Sequence, residues 1–148
     1  MEKLLSDLLK EKGTRIFCVE PAATAKDAAD RMTEQHIGAL VVVDGASMVG
    51  IVTERDVLNK VVSAGFDPEG TTVYDIMTKD VIVTDPGRTV RQAMQIVTEK
   101  RLRHLPVMRD GDLIGMVSGG DLTRAIVAED EDVIDTLYDY IRSGGYPV

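Results

Sequence analysis

Apolar residues recur along the chain at helical spacing in some segments and as unbroken runs in others. Leucines at helical spacing predict a helix over residues 2–12, and Gly13 ends it. Residues 14–19 are rich in β-forming side chains and predict a short strand. Thr24 and Asp27 then give the capping signal of a second helix, whose apolar positions follow one face. The N-terminal part of the chain is therefore predicted to be helix, strand, helix.

Two apolar runs follow this second helix, at residues 37–43 and 48–52. They flank the turn signal Asp44-Gly45 and predict a hairpin with a loop of several residues. Thr53 directly follows the second run and caps a predicted helix with apolar residues on one side. Residues 63–72 contain glycine and proline and show no periodicity, which is typical of a linker.

The whole pattern then restarts, because Pro86 repeats Pro21 65 positions later. Between residues 21 and 56, ten identities occur at this one offset, with no gap, which indicates an internal duplication. The other identical pairs are Thr24/Thr89, Ala28/Ala93, Thr33/Thr98, Glu34/Glu99, Leu40/Leu105, Val42/Val107, Gly50/Gly115, Val52/Val117 and Asp56/Asp121. Each repeat predicts the order β-α-β-β-α, an α/β (α+β) fold. We expect the two repeats to pack sheet to sheet about a pseudo-two-fold axis, which leaves two related clefts.

The most informative repeated segment is Gly50–Asp56, which returns as Gly115–Asp121. In each copy a buried strand leads to a hydroxyl residue and, three positions later, to an aspartate. One interpretation is a capping box at the start of a helix. The alternative is a nucleotide site, in which helix N–H groups, a hydroxyl and a carboxylate hold phosphate and ribose.

Composition narrows the classes of function. Of the 148 residues, 44% are hydrophobic, 28% are charged and only 4% are aromatic, with no Trp. The net charge of −8 and the few aromatics argue against nucleic acid as a partner. We find no apolar run long enough for a membrane span and no signal-peptide core at the start. Cys18 is the lone cysteine, so we expect a buried thiol and a cytoplasmic location.

With these motifs, the chain resembles a tandem pair of CBS (cystathionine-β-synthase type) domains, a Bateman module, over residues 14–128. Besides the repeated Gly50–Asp56 segment, the resemblance rests on residues 37–44 and on Arg103–Val107. The chain is similar to short stand-alone CBS-pair proteins of bacteria and archaea. The predicted domain boundaries are an N-terminal helix at 1–13, repeat 1 at 14–62, a linker at 63–72, repeat 2 at 73–128, and an acidic C-terminal helix and tail at 129–148.

The resemblance implies binding of AMP, ADP, ATP or NAD, or in some members of S-adenosylmethionine, as a regulatory ligand. Asp56 and Asp121 would accept hydrogen bonds from ribose hydroxyls, and Thr53 and Ser118 would lie near ribose or phosphate. The adenine would be held by two sets of residues, one for each cleft. These are Thr14, Arg15 and Ile16 with Leu102, Arg103, His104, Leu105 and Pro106, and Thr78, Lys79, Val81 and Ile82 with Ile37, Gly38 and Ala39.

The two implied clefts differ in charge. Arg103 and His104 occupy the positions that Gly38 and Ala39 hold in repeat 1, so the cleft with Ser118 and Asp121 gains cationic candidates for phosphate. The other cleft has Arg55 and Lys79 for this role. Arg103 and Arg55 also have a plainer interpretation, as solvated surface charges.

No catalytic or metal-ligating constellation emerges from the sequence, and we expect a protein that is not an enzyme. The favoured function is a ligand-sensing regulatory module that changes shape or assembly. The alternative is a structural interaction module with vestigial clefts, and an enzyme or nucleic-acid binder ranks third. The apolar helical stripes predict a homodimer, with an effector protein as a further partner.

Overall fold

The computed structural model describes residues 2–129, 137–138 and 141–142. The chain divides into two compact units. The repeat-1 unit consists of residues 16–81, and the repeat-2 unit consists of residues 1–15 together with the chain from residue 82 onward. The segment that precedes each repeat is thus part of the unit built on the other repeat.

The helices and strands follow the predicted order, except that repeat 2 starts with a short helix in place of its first strand. In chain order they are α1 (Leu5–Lys12), β1 (Cys18–Val19), α2 (Ala25–Gln35), β2 (Ala39–Asp44), β3 (Ser47–Thr53), α3 (Glu54–Val57), a π-helical turn (Leu58–Val62), α4 (Val73–Ile76), α5 (Val90–Lys100), β4 (His104–Arg109), β5 (Asp112–Ser118) and α6 (Gly119–Glu129). Residues 137–138 and 141–142 are also helical.

The repeat-1 unit contains a three-stranded sheet of order β1-β2-β3. Strand β1 pairs with β2 in parallel, and β2 pairs with β3 as an antiparallel hairpin. The strand predicted over 14–19 is shorter than expected, since only Cys18–Val19 pairs. Helix α2 begins at the predicted cap, where the Thr24 hydroxyl accepts from the Asp27 N–H at 3.0 Å. Its buried face then packs on the sheet with Leu40 and Val52.

The hairpin loop is tighter than the sequence predicted. Asp44 pairs with Ser47, so only Gly45 and Ala46 connect the strands and the expected loop of several residues is wrong. Gly45 has a φ of 63°, a conformation that glycine adopts without steric cost. The second hairpin turns in the same way through Asp110 and Gly111, because Arg109 pairs with Asp112.

The helix that follows Thr53 is not the amphipathic helix that the sequence predicted. Four residues of α3 pass into a π-helical turn. This change of winding places Val61 in the core, whereas Leu58 and Val62 remain 57% and 63% exposed. The predicted apolar stripe is therefore only partly buried within the described residues.

In the repeat-2 unit, the first strand of the predicted β-α-β-β-α order is not formed, and residues 81–83 belong to no strand. The sheet consists of β4 and β5, with a single parallel bridge from Thr84 to Val107. The reason lies in Pro106. In repeat 1 the matching residue, Val41, donates its N–H to the Phe17 carbonyl at 3.0 Å, and a proline has no N–H to donate.

Helix α1 supplies much of the apolar core of the repeat-2 unit. Leu5, Leu8 and Leu9 are buried among residues of α5, the β4–β5 hairpin and α6. The helix start is held by main-chain bonds, including one from the Leu5 N–H to the Arg88 carbonyl at 2.9 Å. As predicted, α1 ends at Gly13, whose φ is 93°.

Residues 63–72, the predicted linker, are bonded to the start of α2 in the repeat-1 unit. The Ala25 N–H donates to the Thr71 carbonyl at 2.8 Å, and the Lys26 N–H donates to the Pro68 carbonyl at 3.1 Å. Most of the predicted acidic C-terminal helix and tail, residues 129–148, lies outside the described residues. Within them, Leu137 is helical and packs against the repeat-2 core.

Candidate functional site

Thr53 and Asp56 close the turn from β3 into α3 as a complete capping box. The Thr53 Oγ1 accepts from the Asp56 N–H at 3.2 Å, and the Asp56 Oδ2 accepts from the Thr53 N–H at 2.9 Å. The Thr53 hydroxyl also donates to the same carboxylate oxygen at 3.1 Å. The capping interpretation of this motif is thereby confirmed in repeat 1.

The second oxygen of Asp56 forms an ion pair with Lys60, one helical turn later. The Lys60 Nζ lies 2.9 Å from the Asp56 Oδ1 and also donates to the Ile76 carbonyl at 2.9 Å. The Asp56 side chain is only 11% exposed. Both oxygens of this buried carboxylate therefore have hydrogen-bond or ion-pair partners, as buried polar groups require.

Ser118 and Asp121 repeat the same box at the start of α6. The Asp121 Oδ2 accepts from the Ser118 N–H at 2.9 Å, and the Ser118 Oγ accepts from the Asp121 N–H at 3.1 Å. Gly119 and Gly120, the two residues between them, form the first turn of the helix. The capping interpretation is confirmed here as well.

Two cations bind the carboxylate of Asp121. The Lys12 Nζ lies 2.8 Å from Oδ2, and an Arg124 guanidinium nitrogen lies 2.7 Å from Oδ1. Burial on its own raises the pKa of Asp121, but the hydrogen bonds from Lys12 and the Ser118 N–H outweigh it, so the pKa lies below its usual value. The Asp121 side chain is therefore an anion that is 14% exposed and held by charged neighbours.

Lys12 also donates to the Met116 carbonyl at 2.6 Å, on the edge of β5. At the matching position in repeat 1, the Ile51 carbonyl accepts from the main-chain N–H of Thr78 at 2.9 Å. A side-chain ammonium thus occupies in one unit the place that a backbone donor occupies in the other. We call this contact of the Lys12 Nζ with the Met116 carbonyl and the Asp121 Oδ2 the Lys12 bridge.

Gly50 and Gly115 allow the closest packing beside the two turns. A Cβ at Gly50 would lie 2.7 Å from the Met77 Sδ and 2.8 Å from the Thr78 carbonyl. A Cβ at Gly115 would lie 2.6 Å from a Leu9 methyl. The repeated glycine therefore lets the segment that precedes the other repeat lie directly on the strand.

The loop before each hairpin contacts the corresponding turn through a main-chain hydrogen bond. The Glu54 N–H donates to the Gly38 carbonyl at 3.0 Å, and the Gly119 N–H donates to the Arg103 carbonyl at 3.1 Å. These bonds place the predicted adenine-contacting loops next to the predicted ribose carboxylates within each unit.

The structure places each predicted set of site residues almost entirely in one unit. Ile16 and Ile82 are the exceptions, because Ile16 falls in the repeat-1 unit and Ile82 falls in the repeat-2 unit. The repeat-2 unit holds Thr14, Arg15, Arg103, His104, Leu105, Pro106, Ser118 and Asp121. The repeat-1 unit holds Ile37, Gly38, Ala39, Thr53, Arg55, Asp56, Thr78, Lys79 and Val81.

The candidate phosphate ligands differ in their surroundings. Arg103 and Arg55 are both exposed. The Lys79 Nζ lies over the Tyr74 ring, 4.1 Å from its centroid, which is a cation–π contact. Ile37 and Gly38 line a surface cavity of about 500 Å³ in the repeat-1 unit, together with His36 and Glu54.

Sequence reasoning did not single out Lys12, Lys60 or Arg124. Lys60 and Arg124 lie four and three residues after their carboxylates, and such spacing on a helix is a signal that could have found them. Lys12 lies 109 residues from Asp121, so only the fold brings the two together. No group of His, Cys, Asp and Glu suited to a metal ion occurs among the residues that the structure describes. Over the same residues, no helix is long and apolar enough to cross a membrane.

Comparison with known proteins identifies one family that both halves of the chain match. The CBS domain family model matches residues 6–63 and again residues 73–128. The chain is 41% identical over 152 aligned residues to the mitochondrial CBS domain-containing protein CBSX3 of Arabidopsis thaliana, covering 96% of this chain and 73% of that protein. The cytoplasmic location stays a prediction.

Solved structures share the fold. A candidate signal-transduction protein with CBS domains from Burkholderia ambifaria superimposes with a TM-score of 0.83 at 40% identity, covering 86% of this chain and 96% of that one. The CBS domain pair of protein MJ0100, in complex with 5′-methylthioadenosine and S-adenosyl-L-methionine, superimposes with a TM-score of 0.76 at 21% identity, covering 88% and 100%. Two matches to one family model and two copies of one turn lead to one conclusion: the chain belongs to the CBS-domain family, as a CBS-pair regulatory module.

Proposed function

We propose that the protein is a regulatory module that senses adenosine-containing nucleotides at its two strand-to-helix turns. The observation that carries the proposal is the arrangement around Asp121. An ionised, partly exposed carboxylate lies beside helix N–H groups and two cations. Such a carboxylate accepts hydrogen bonds from a ribose diol, and the N–H groups and cations suit a phosphate.

The CBS-pair structure of MJ0100 supports this class of ligand, since its two bound molecules both contain adenosine. AMP, ADP, ATP and NAD share this moiety and are the ligands that we propose for this chain. They would act as regulatory ligands, and no catalytic step is part of the proposal.

A second candidate function, a structural interaction module with vestigial ligand sites, is favoured by one observation. Both oxygens of Asp56 and both oxygens of Asp121 already accept hydrogen bonds or ion pairs within their own units. A ribose would have to displace one of these partners. Ligand binding therefore separates the two candidates, because a vestigial site has no affinity for nucleotides.

We expect AMP to bind more tightly than GMP. The loops ending at Gly38 and Arg103 and the strands after them offer backbone groups and apolar side chains to a base. Adenine can pair with one N–H and one C=O of extended backbone, whereas guanine presents the opposite pattern on that edge. Each buried polar group left unpaired costs about 1–3 kcal/mol, so AMP should bind at least about fivefold more tightly. Calorimetric titration of the full chain with each nucleotide measures the difference.

Equal affinities for AMP and GMP would contradict the adenine assignment, and no binding of either would leave the interaction module as the function. A complementary measurement needs no choice of ligand. Small molecules released from the purified protein by heat and identified by mass spectrometry should include an adenosine compound.

We also propose that the module acts as a homodimer and transmits binding to an effector protein. Leu58, Val62 and Phe66 recur at four-residue intervals and are 57%, 63% and 62% exposed. Large apolar side chains exposed in this way are typical of interaction surfaces. Light scattering at micromolar concentration, with and without AMP, should give the mass of a dimer. A monomer mass under both conditions would reject this part of the proposal.

A further inference from the structure

The charge around Asp121 is not balanced in the way that it is around Asp56. Among the residues that the structure describes, Asp121 has two cationic partners, Lys12 and Arg124, for one negative charge. The described residues give Asp56 one such partner, Lys60. The repeat-2 turn therefore carries one positive charge in excess of its carboxylate, directly beside the oxygens that a ribose would contact.

The surroundings of Lys12 also allow its ammonium to move away from Asp121. Its side chain is 32% exposed and extends from the last residue of α1, just before Gly13. At the matching position in the repeat-1 unit stands Met77, which is buried in the core at 7% exposure. The Met116 carbonyl is bonded by the Lys12 side chain, where its counterpart in repeat 1 is bonded by the main chain. A flexible four-carbon stem can move its ammonium without moving the backbone.

Building on the function proposed above, we propose that Lys12 makes the Asp121 site selective for adenosine ligands that carry a 5′ phosphate. Ribose hydroxyls that bind Asp121 take the oxygen that Lys12 now holds, and the ammonium then needs a new anionic partner. A 5′ phosphate is joined to the ribose by a single methylene, so it lies within reach of the lysine stem.

Ligands without a phosphate lack this compensation. Neutral adenosine displaces Lys12 from Asp121 and leaves the ammonium with the Met116 carbonyl and water. A sulfonium compound such as S-adenosylmethionine brings a further positive charge to a turn that already has an excess. Both classes should therefore bind this site more weakly than AMP, because they break a charge-assisted hydrogen bond and bring no 5′ phosphate to replace it.

The test compares adenosine and AMP by calorimetry on wild-type protein and on Lys12→Met. Removing the ammonium takes away the phosphate partner and at the same time frees the Asp121 oxygen. AMP affinity should fall about tenfold or more, while adenosine affinity stays the same or rises, so the preference for AMP over adenosine collapses. Lys10→Met is the matched control, because Lys10 is exposed on the same helix. Lys12→Arg should retain the preference for AMP.

The outcomes separate this inference from the proposed function. If wild-type protein binds AMP, and Lys12→Met weakens AMP and adenosine by the same factor, Lys12 only supports the fold and the selectivity is overturned. If wild-type protein binds neither compound, the proposed function fails, and the selectivity fails with it.

The Lys12 bridge itself is tested without ligand, by NMR titration of the Asp121 side-chain carboxyl. Since the hydrogen bond from Lys12 lowers the pKa of Asp121, Lys12→Met should raise this pKa and Lys10→Met should leave it unchanged. A pKa of Asp121 that does not respond to Lys12→Met would show that the bridge is absent in solution and would overturn the inference.

Discussion

Replacing Leu5 by alanine should lower the free energy of unfolding by about 2–5 kcal/mol. Leu5 is fully buried, in contact with the cluster that includes Val90, Leu105 and Leu122. Truncation removes the transfer free energy of the lost methyl groups and leaves a cavity in that cluster. Urea unfolding followed by circular dichroism measures the loss.

The matched control is Leu58→Ala, the same change at a side chain that is 57% exposed. It should change the free energy of unfolding by no more than about 0.5 kcal/mol. Equal effects of the two substitutions would mean that α1 is not part of the repeat-2 core. A large effect at Leu5 alone would establish that the helix preceding repeat 1 is required by the unit built on repeat 2.

The position of α1 shows where sequence reasoning reached its limit. Leucine spacing and Gly13 predicted the helix and its end correctly, because both are local signals. Nothing local specifies which core receives the buried face. That choice depends on Gly115, where the absent side chain lets Leu9 lie on the strand, about a hundred residues away in the sequence.

The hairpins and capped helices were predictable for the same reason. Each depends on residues a few positions apart, such as Thr24 with Asp27 or Thr89 with Gln92. The prediction of a first strand in repeat 2 was wrong. The duplication suggested that both repeats form this strand, but one substitution prevents it in repeat 2. Pro106 matches Val41 but has no N–H, and a parallel ladder needs that donor.

The candidate site likewise contains residues that local sequence signals predicted and residues that only the fold brings together. The carboxylates and their capping hydroxyls were visible as a repeated motif, and the structure confirms their local geometry. Their ion-pair partners were not foreseen. Lys12 reaches Asp121 from another helix, and this contact, more than the motif, distinguishes the two turns electrostatically.

The strongest functional consequence is expected for Asp121→Ala, which should abolish most of the stabilisation that AMP gives to the protein. Ligand at about 100 times its dissociation constant adds about 2.7 kcal/mol to the wild type. For a chain of this length that corresponds to a melting shift of about 5–10 °C. Without the carboxylate there is no acceptor for the ribose, so most of this shift should vanish.

The same substitution also removes a cap, and this effect has to be separated from binding. Loss of the capping box should cost about 0.5–2 kcal/mol of stability in the absence of ligand. Asp112→Ala, an exposed aspartate at the start of β5, is the control for a change of net charge. It should keep both the stability and the AMP-induced shift. Thermal melts of each variant with and without AMP give the two effects independently.

Asp56→Ala completes the comparison, because Asp56 occupies the matching turn without an excess of positive charge. It should lose less of the AMP-induced shift than Asp121→Ala if the repeat-2 turn is the stronger phosphate site. The decisive outcome is the combination of effects in Asp121→Ala. A protein that melts earlier but keeps the full AMP-induced shift would make the carboxylate a helix cap and nothing more, and the nucleotide assignment at this turn would be wrong.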